Sequence, residues 1–273
     1  MALYDKKVND LILHTSTLLE ELGVPHAFTT RFGGVSTDVF TSLNLGLNRG
    51  DAPPRVRENY RRVCTALGVE MGKLVLSSQV HEDTVRKVTL EDAGKGLDQK
   101  IEYSADGLMT NVPGMTLVTF GADCLTIMLF DPVQKAIANV HAGWRGTAMG
   151  IVDRAVEGMK TEYGSQPSDL VAAIGPGISA CCFETHEDVP NAMRAALGDE
   201  VSKFVVSLGG GKCKVDLKGI NALRLRRCGV MTTNIDISPD CTMCAHEKYW
   251  SHRYTRGERG SQAAFLSLPE GGL

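Results

Sequence analysis

The amino-acid sequence predicts a mixed α/β (α+β) fold, in which helices surround a mixed β-sheet core. Three observations support this class: short β-branched runs occur in clusters, segments of helical periodicity separate the clusters, and no repeat or linker-like stretch divides the chain. We therefore treat residues 1–273 as a single domain. The pattern leaves the order of the strands open.

The first third of the chain predicts strands around one amphipathic helix. Residues 24–34, VPHAFTTRFGG, are typical of a strand that ends at a double glycine. Residues 55–68 have the apolar spacing of a helix, which Gly68 ends as a C-terminal cap. Two alternating β-branched runs then predict strands within 73–90, and His81 falls at the break between them.

The remainder of the chain predicts further strands and helices. Three apolar runs predict strands within 115–141, so that Cys124 and His141 lie at strand margins. A helix is expected to begin just after Arg145, and the polar stretch 91–107 is expected to be a surface loop. LVAAIG predicts another strand, and LKGINALRLRRCG another helix, with Asp216 as its N-cap.

Composition and charge favour a globular protein that acts on small molecules. The chain is 43% hydrophobic and has a formal net charge of -3, which gives no electrostatic reason to expect nucleic acid or a membrane surface as a partner. The N-terminus does not resemble a signal peptide, and the longest apolar run is too short and too interrupted to cross a bilayer. We expect a cytoplasmic monomer or homodimer, with its 8 cysteines mostly as thiols.

Three residues at segment ends form a candidate metal-binding set: His81, Cys124 and His141. Two imidazoles and one thiolate are a typical ligand set for catalytic zinc with an open fourth position, where a water can be activated. The long, irregular spacing does not by itself establish a site. Each residue taken alone also suits a hydrogen-bonded histidine or a core thiol.

The segment around His141 adds a candidate anion site. In HAGWRGT, Arg145 and the backbone N–H groups of Gly146 and Thr147 lie where a helix is expected to begin, which favours an anion such as phosphate. Gly143 and Gly146 allow a tight turn that brings His141 and Arg145 toward one pocket.

A second group of possible ligands lies near the C-terminus, comprising Cys241, Cys244, His246 and His252. A single residue separates Cys244 from His246, which is far less than the loop of a zinc finger, so the spacing does not favour a structural zinc site. The adjacent Cys181 and Cys182 are interpreted as packing residues rather than as a redox pair.

Motifs along nearly the whole chain resemble those of the laccase-domain proteins, a family described both as multicopper polyphenol oxidases and as zinc-dependent purine nucleoside phosphorylases. The matching segments are TTRFGGVS, SLNLGLNRGD, SSQVH, ADGLMTN, GADC, NVHAGWRGT, AAIGPGISACCFE and SHRYTRGERGSQAAF. The chain departs from the family pattern at Asn48, Glu82, Gly121 and Thr126.

The resemblance implies a zinc ion held by His81, Cys124 and His141, with copper less favoured, in a fold similar to that of a toxin deamidase domain. It implies phosphorolysis of a purine nucleoside: inosine, guanosine, adenosine or methylthioadenosine. Adenosine deamination by the same activated water is expected as a parallel activity. Asp123 and Cys124 are the candidate catalytic residues. The residues assigned to substrate or phosphate binding are Arg31, Asn44, Arg62 and Arg145, with solvated surface charges as the alternative for the arginines and the favoured interpretation for Arg62.

Three alternatives remain open from the sequence. A copper-dependent polyphenol oxidase would need a histidine-rich cluster, which 7 histidines without an HxH pair do not provide. A Cys–His hydrolase would use Cys124 as nucleophile and His141 as base, without a catalytic metal. An editing factor for cell-wall precursors would place the nucleoside within a larger nucleotide-linked substrate.

Overall fold

A computed structural model describes residues 3–270, in which strands and helices are joined by turns and several longer loops. The strands are β1 (Leu3–Val8), β2 (Leu11–Ser16), β3 (His26–Thr29), β4 (Leu74–Leu76), β5 (Val85–Lys87), β6 (Gly107–Thr110), β7 (Thr116–Gly121), β8 (Leu125–Asp131), β9 (Ala136–Ala142), β10 (Val171–Ile174), β11 (Glu184–His186), β12 (Val205–Gly209), β13 (Lys212–Val215), β14 (Ile235–Ile237) and β15 (Gln262–Ser267). The α-helices are α1 (Thr17–Glu21), α2 (Pro53–Leu67), α3 (Trp144–Met149), α4 (Ile151–Tyr163), α5 (Asp188–Leu197), α6 (Leu217–Arg227) and α7 (His252–Thr255).

Two six-stranded mixed sheets form the centre of the molecule. The first has the order β1-β2-β3-β15-β7-β4 and the second the order β14-β10-β8-β9-β6-β5. Most neighbouring strands are antiparallel, whereas β4 with β7, β5 with β6 and β10 with β14 are parallel. A third, small sheet has the order β11-β13-β12.

The sheets stack face to face, and helices cover their outer faces. Along β8, side chains alternate between two cores, because successive residues of a strand point to opposite faces. Leu125, Ile127 and Leu129 join the core that includes α4 and α6, whereas Met128 and Phe130 join the core between the two sheets. On the far side, α2 packs against the first sheet. The layers are therefore helix, sheet, sheet, helix.

The predicted fold class is confirmed, and most of the predicted elements occur where the sequence places them. The helix at 55–68 is α2, and Gly68 ends it in the left-handed conformation, with φ at 67°. Asp216 caps α6 by accepting a hydrogen bond from the backbone N–H of Gly219. Within residues 3–270, no helix has the length and apolar character that crossing a membrane requires.

Two local expectations were wrong. The helix expected after Arg145 begins earlier, at Trp144, and the left-handed Gly150, with φ at 88°, divides the segment into α3 and α4. The stretch 91–107 is not entirely a surface loop, because it ends in buried residues that include Asp106, which is 0% exposed. Both differences arise around the residues predicted to bind metal.

Candidate functional site

The fold brings His81, Cys124 and His141 together, and we refer to these three residues as the triad. One ligand atom from each lies within 4.8 Å of the other two. The imidazole rings of His81 and His141 meet edge to face, with their centroids 4.9 Å apart. A single metal ion fits between three donors at this separation, because zinc lies about 2.0–2.3 Å from imidazole nitrogen and thiolate sulfur.

Three different segments supply the triad. His81 follows β4 and takes a left-handed backbone conformation, with φ at 67°. Cys124 follows Asp123, another left-handed residue, in the tight turn between β7 and β8. His141 belongs to β9, and it is paired with Thr126 of β8. This register sets the start of β8, and hence Cys124, beside the end of β9.

Asp106 organises the triad, although it is not one of its ligands. Its Oδ1 lies 2.7 Å from Nδ1 of His141, which orients that ring and leaves its Nε2 available. The same carboxylate accepts hydrogen bonds from the backbone N–H groups of Val80, His81 and Glu82. One buried side chain therefore holds the ring of His141 and the backbone at His81.

The triad favours a thiolate beside a protonated imidazole when no metal is bound. Burial alone would raise the pKa of the Cys124 thiol, but the neighbouring His141 and His81 lower that pKa to about 6. Burial alone would lower the pKa of His141, but Cys124 and Asp106 raise it to about 9. A bound metal ion would take over the role of the imidazolium, since thiolates and neutral imidazoles are the forms that bind metal.

The space around the donors is kept open by Gly143. A Cβ at this position would lie 3.2 Å from Sγ of Cys124, 3.5 Å from Cδ2 of His81 and 3.6 Å from Cε1 of His141, and both of these ring carbons are bonded to Nε2. These distances place the missing methyl group where the three donors face one another. The residues present therefore fit a bound metal ion, both in donor chemistry and in free space.

An open cleft of about 590 Å³ lies next to His81. This volume suits a ligand of the size of a nucleoside. Its lining combines polar residues, among them Ser77, Ser78 and Gln79, with apolar residues of the neighbouring segments and with Phe120. Gln79 fixes the backbone of Phe120 by donating to its carbonyl and accepting from its N–H.

Two arginines that the sequence analysis did not single out converge near the triad. Arg259 donates to Oγ of Ser261, a residue that lines the cleft together with Arg49. Burial and the nearby charge of Arg49 lower the pKa of Arg259 to about 10, although Asp123 and Cys124 act in the opposite direction. Its buried Nε finds no hydrogen-bond partner among residues 3–270. Two facing cations and an unsatisfied donor favour an anion here.

Asp123 and Asn44, both predicted site residues, use their polar atoms within the protein. The carboxylate of Asp123 accepts from Oγ1 of Thr242 and from the backbone N–H of Arg253. Buried Asn44 accepts from the backbone N–H groups of Gly46 and Ser261. Asp123 thus braces the turn beside Cys124, and Asn44 shapes the wall of the cleft.

The three predicted arginines lie apart from the residues that line the cleft. Arg31 stacks over Trp250 and donates to backbone carbonyls. Arg62 is paired with Glu58. Arg145 is exposed and stacks over the ring of Trp144.

The anion site expected at the start of the helix is also incomplete. The backbone N–H of Thr147 donates to the carbonyl of Gly143 and is not available to a ligand. In addition, α3 spans only six residues, so its dipole is small.

Sequence reasoning missed Asp106, Arg49 and Arg259 for different reasons. Asp106 stands in the dipeptide Asp-Gly at the end of a polar stretch, which is typical of an exposed turn. Its position directly before the apolar strand β6 was the available signal. Arg49 and Arg259 are far apart in sequence, and their segments are joined by hydrogen bonds of Ser261 with Asn44 and Leu45.

Comparisons with known proteins agree with the motifs. The family model described as multi-copper polyphenol oxidoreductase laccase matches residues 25–269. Purine nucleoside phosphorylase YlmD of Geobacillus stearothermophilus is 36% identical over 250 residues, which cover 91% of each chain. A purine nucleoside phosphorylase of Deinococcus radiodurans is 37% identical and covers 91% of this chain and 90% of its own.

The fold is also similar to a solved structure. The crystal structure of YlmD from Geobacillus stearothermophilus aligns with a TM-score of 0.92 at 33% identity, over 99% of this chain and 100% of that one. The resemblance inferred from the motifs is thereby confirmed. The chain is an enzyme that belongs to the multi-copper polyphenol oxidoreductase laccase family.

Proposed function

We propose that the enzyme is a zinc-dependent purine nucleoside phosphorylase, with its active site at the triad and the adjoining cleft. The observation that carries this proposal is the convergence of two imidazoles and one thiol, within 4.8 Å, at the end of a nucleoside-sized cleft. The names of the relatives from Geobacillus and Deinococcus support purine nucleosides and phosphate as substrates.

The triad would hold the zinc ion through His81, Cys124 and His141. Zinc bound there supplies a Lewis acid that polarises an oxygen of the substrate. Asp106 would leave Nε2 of His141 free for the ion, because it binds the Nδ1 position of the same ring. A set of seven histidines without an HxH pair makes zinc a better candidate than a multicopper cluster.

The cleft would bind the nucleoside, and the arginines near it would bind phosphate. The ring of Phe120 offers an apolar face on which a purine can stack. Arg49 and Arg259 place positive charge beside Cys124 and Ser261. An oxygen of phosphate attacks the anomeric carbon of ribose, the bond from that carbon to the base breaks, and the base leaves with a proton.

Asp123 has a positioning role in this proposal. Both of its carboxylate oxygens accept hydrogen bonds from Thr242 and Arg253, so it is engaged in fixing the turn that carries Cys124. The proton that leaves with the base would therefore come from the attacking phosphate, from solvent or from another polar group of the cleft.

The reaction is tested by incubating the purified enzyme with inosine, guanosine, adenosine and methylthioadenosine, with and without phosphate. We expect base and ribose 1-phosphate to form only when phosphate is present. Ammonia released from adenosine without phosphate would identify deamination as a second activity. Absence of turnover on all four nucleosides, with the triad loaded with zinc, would overturn the proposal.

The phosphate site is tested by replacing Arg259. Loss of a charge-assisted hydrogen bond costs on the order of 1.5–3 kcal/mol, so Arg259→Gln is expected to raise the KM for phosphate at least tenfold. The control is Arg227→Gln, since Arg227 is an exposed arginine at the end of α6 that pairs with Glu200. If Arg145→Gln raises this KM and Arg259→Gln does not, phosphate binds beside Trp144 instead.

A second candidate function is favoured by one observation. Cys124, His141 and Asp106 also have the arrangement of a thiol, a base and a carboxylate, as in a Cys–His hydrolase. The second imidazole, His81, favours a metal site, because a thiol nucleophile needs only one base. Zinc content decides between them: amide or ester hydrolysis by protein free of zinc would establish the hydrolase.

A further inference from the structure

A second group of metal-ligand side chains lies outside the triad. Cys181, Cys182, Cys241 and Cys244 place their four Sγ atoms within 4.8 Å of one another, and we call these residues the four-cysteine cluster. The sequence interpretation set the pair Cys181 and Cys182 aside as packing residues and considered Cys241 and Cys244 only with the following histidines. The structure instead joins the two cysteine pairs.

The sulfur positions match those of a tetrahedral metal site. Four thiolates at about 2.3 Å from zinc stand about 3.8 Å from one another at the corners of a tetrahedron. In the protein, Sγ of Cys244 lies 3.6 Å from that of Cys181 and 3.3 Å from that of Cys182. The Sγ atoms are therefore already about as far apart as four thiolates bound to one zinc ion.

Two turns bring the cysteines together. Cys181 and Cys182 occupy a tight turn after β10, in which the backbone N–H of Cys182 donates to the carbonyl of Ser179. Cys241 begins a turn that Cys244 completes at CxxC spacing, a spacing common in zinc sites. A backbone bridge between Gly177 and Cys241 holds the turns side by side.

At Cys241, backbone N–H groups stabilise negative charge on sulfur. Sγ of Cys241 accepts the N–H of Ser179 at 3.3 Å, and the N–H groups of Cys244 and Met243 also point to it. Hydrogen bonds from backbone N–H groups favour the thiolate form, which is the form that binds metal. All eight cysteines lie within residues 3–270 and are free thiols, so no disulfide occupies the cluster.

We infer that the four-cysteine cluster is a tetrathiolate site for a structural zinc ion, separate from the triad. Four thiolates close the coordination shell and leave no position for a substrate, which distinguishes this site from the triad with its three donors. The inference does not depend on the proposed reaction.

The cluster is connected to the triad through the protein. Thr242, which lies between Cys241 and Cys244 in sequence, donates its hydroxyl to Asp123, the neighbour of Cys124. The backbone N–H of Ile178 donates to the carbonyl of the same Asp123. An ion in the cluster would therefore fix the two turns that support the turn of Cys124.

The test is the zinc content of protein purified under reducing conditions, without chelators and with zinc in the growth medium. With the triad also loaded, we expect two zinc ions per chain in the unaltered enzyme and one in Cys124→Ser. X-ray absorption of Cys124→Ser is expected to show four sulfur neighbours at about 2.3 Å, because only the cluster remains. This variant isolates the cluster, so its result stands even if the triad binds no zinc.

The matched variants are Cys181→Ser and Cys228→Ser. Cys181→Ser is expected to lose one zinc ion per chain and to retain the triad's mixed nitrogen and sulfur coordination. Cys228→Ser is expected to lose none, because Cys228 lies beside Asp153 and outside both sites. If Cys181→Ser does not fold, the Cys124→Ser measurement still decides the question.

Three results would overturn the inference. They are a Cys124→Ser protein without zinc, an intact mass that reveals a disulfide in the cluster after reducing purification, and a cluster that holds iron with sulfide rather than zinc. Each of these is read from the same preparation by metal analysis, mass spectrometry and visible absorption.

Discussion

Asp106 supports both triad histidines, since it binds the ring of His141 and the backbone N–H of His81. Its Oδ1 serves His141 and the N–H of His81, while its Oδ2 serves the N–H groups of Val80 and Glu82. An asparagine at this position has one acceptor oxygen, and its amide nitrogen would face donors whichever way it is turned. The substitution therefore breaks the support of one or both histidines.

We expect Asp106→Asn to weaken zinc binding at the triad by about 10–100-fold, which is the usual effect of removing a carboxylate that orients a ligating histidine. Competition with a chromophoric chelator measures this affinity. Asp92→Asn is the control, since Asp92 is also buried and hydrogen-bonded but belongs to the turn at 89–95. Equal zinc affinity in the two variants would contradict the role of Asp106.

The grouping of the three triad residues could be predicted from the sequence, but the residues around them could not. Cys124 and His141 stand at the ends of recognisable strands, and their types are those that zinc prefers. Asp106, Arg49 and Arg259 are polar residues in segments that resemble surface loops. Their burial and proximity arise from contacts between distant segments, which local periodicity does not encode.

At the scale of elements, the division between α3 and α4 shows where helical periodicity misleads. Apolar spacing continues across Gly150, so the pattern favours one helix. The left-handed Gly150 breaks it and lets the side chains of Asp153 and Arg224 approach its Cα. Arg224 is a buried arginine paired with Asp153, and it also donates to the carbonyl of Ala148 at the end of α3.

Gly150→Ala is expected to lower the free energy of unfolding by roughly 1–3 kcal/mol. Part of the loss comes from the positive φ, which alanine adopts unfavourably. The remainder comes from contact, since a Cβ would lie 2.9 Å from Asp153 and 3.1 Å from Arg224. Urea unfolding measures the change.

Gly164→Ala separates these two contributions. Gly164 ends α4 with φ at 74°, but a Cβ there would meet nothing within 4 Å. It should therefore lose stability through backbone strain alone. Equal losses in the two variants would mean that the ion pair between Arg224 and Asp153 adapts to the methyl group without cost.

At the scale of the whole molecule, the sequence predicts the fold class but not the way in which the layers are assembled. The strands near the middle of the chain pair locally, as β8 does with β9. The first sheet depends on β15, which inserts between β3 and β7 although its residues lie more than 130 positions beyond either. Pairings of this kind are set by the burial of complete faces, which the order of residue types along one strand does not specify.

The first sheet also makes the stability of the molecule sensitive to acid. At the start of β3, His26 is 4% exposed; its Nε2 accepts the backbone N–H of Ser16 and its Nδ1–H donates to the carbonyl of Val24. A neutral ring satisfies both hydrogen bonds. In a protonated ring, Nε2 would carry a proton and would face the backbone N–H of Ser16, so that two donors would meet. Burial, with a smaller effect of Lys6, lowers the pKa of His26 to about 4.

Because this pKa is lower in the folded protein than the ordinary value of about 6.5, the unfolded chain binds the proton first as the pH falls. The stability is complete above pH 6.5 and decreases between pH 6.5 and about 4. At pH 5 the loss from His26 amounts to about 2 kcal/mol.

The test is the free energy of unfolding in urea at pH 7.5 and at pH 5. From the higher to the lower pH, we expect His26→Gln to lose about 2 kcal/mol less stability than the unaltered protein. His186→Gln, at an exposed position in β11, should keep the full acid dependence. An unaltered acid dependence in His26→Gln would show that other groups set the limit.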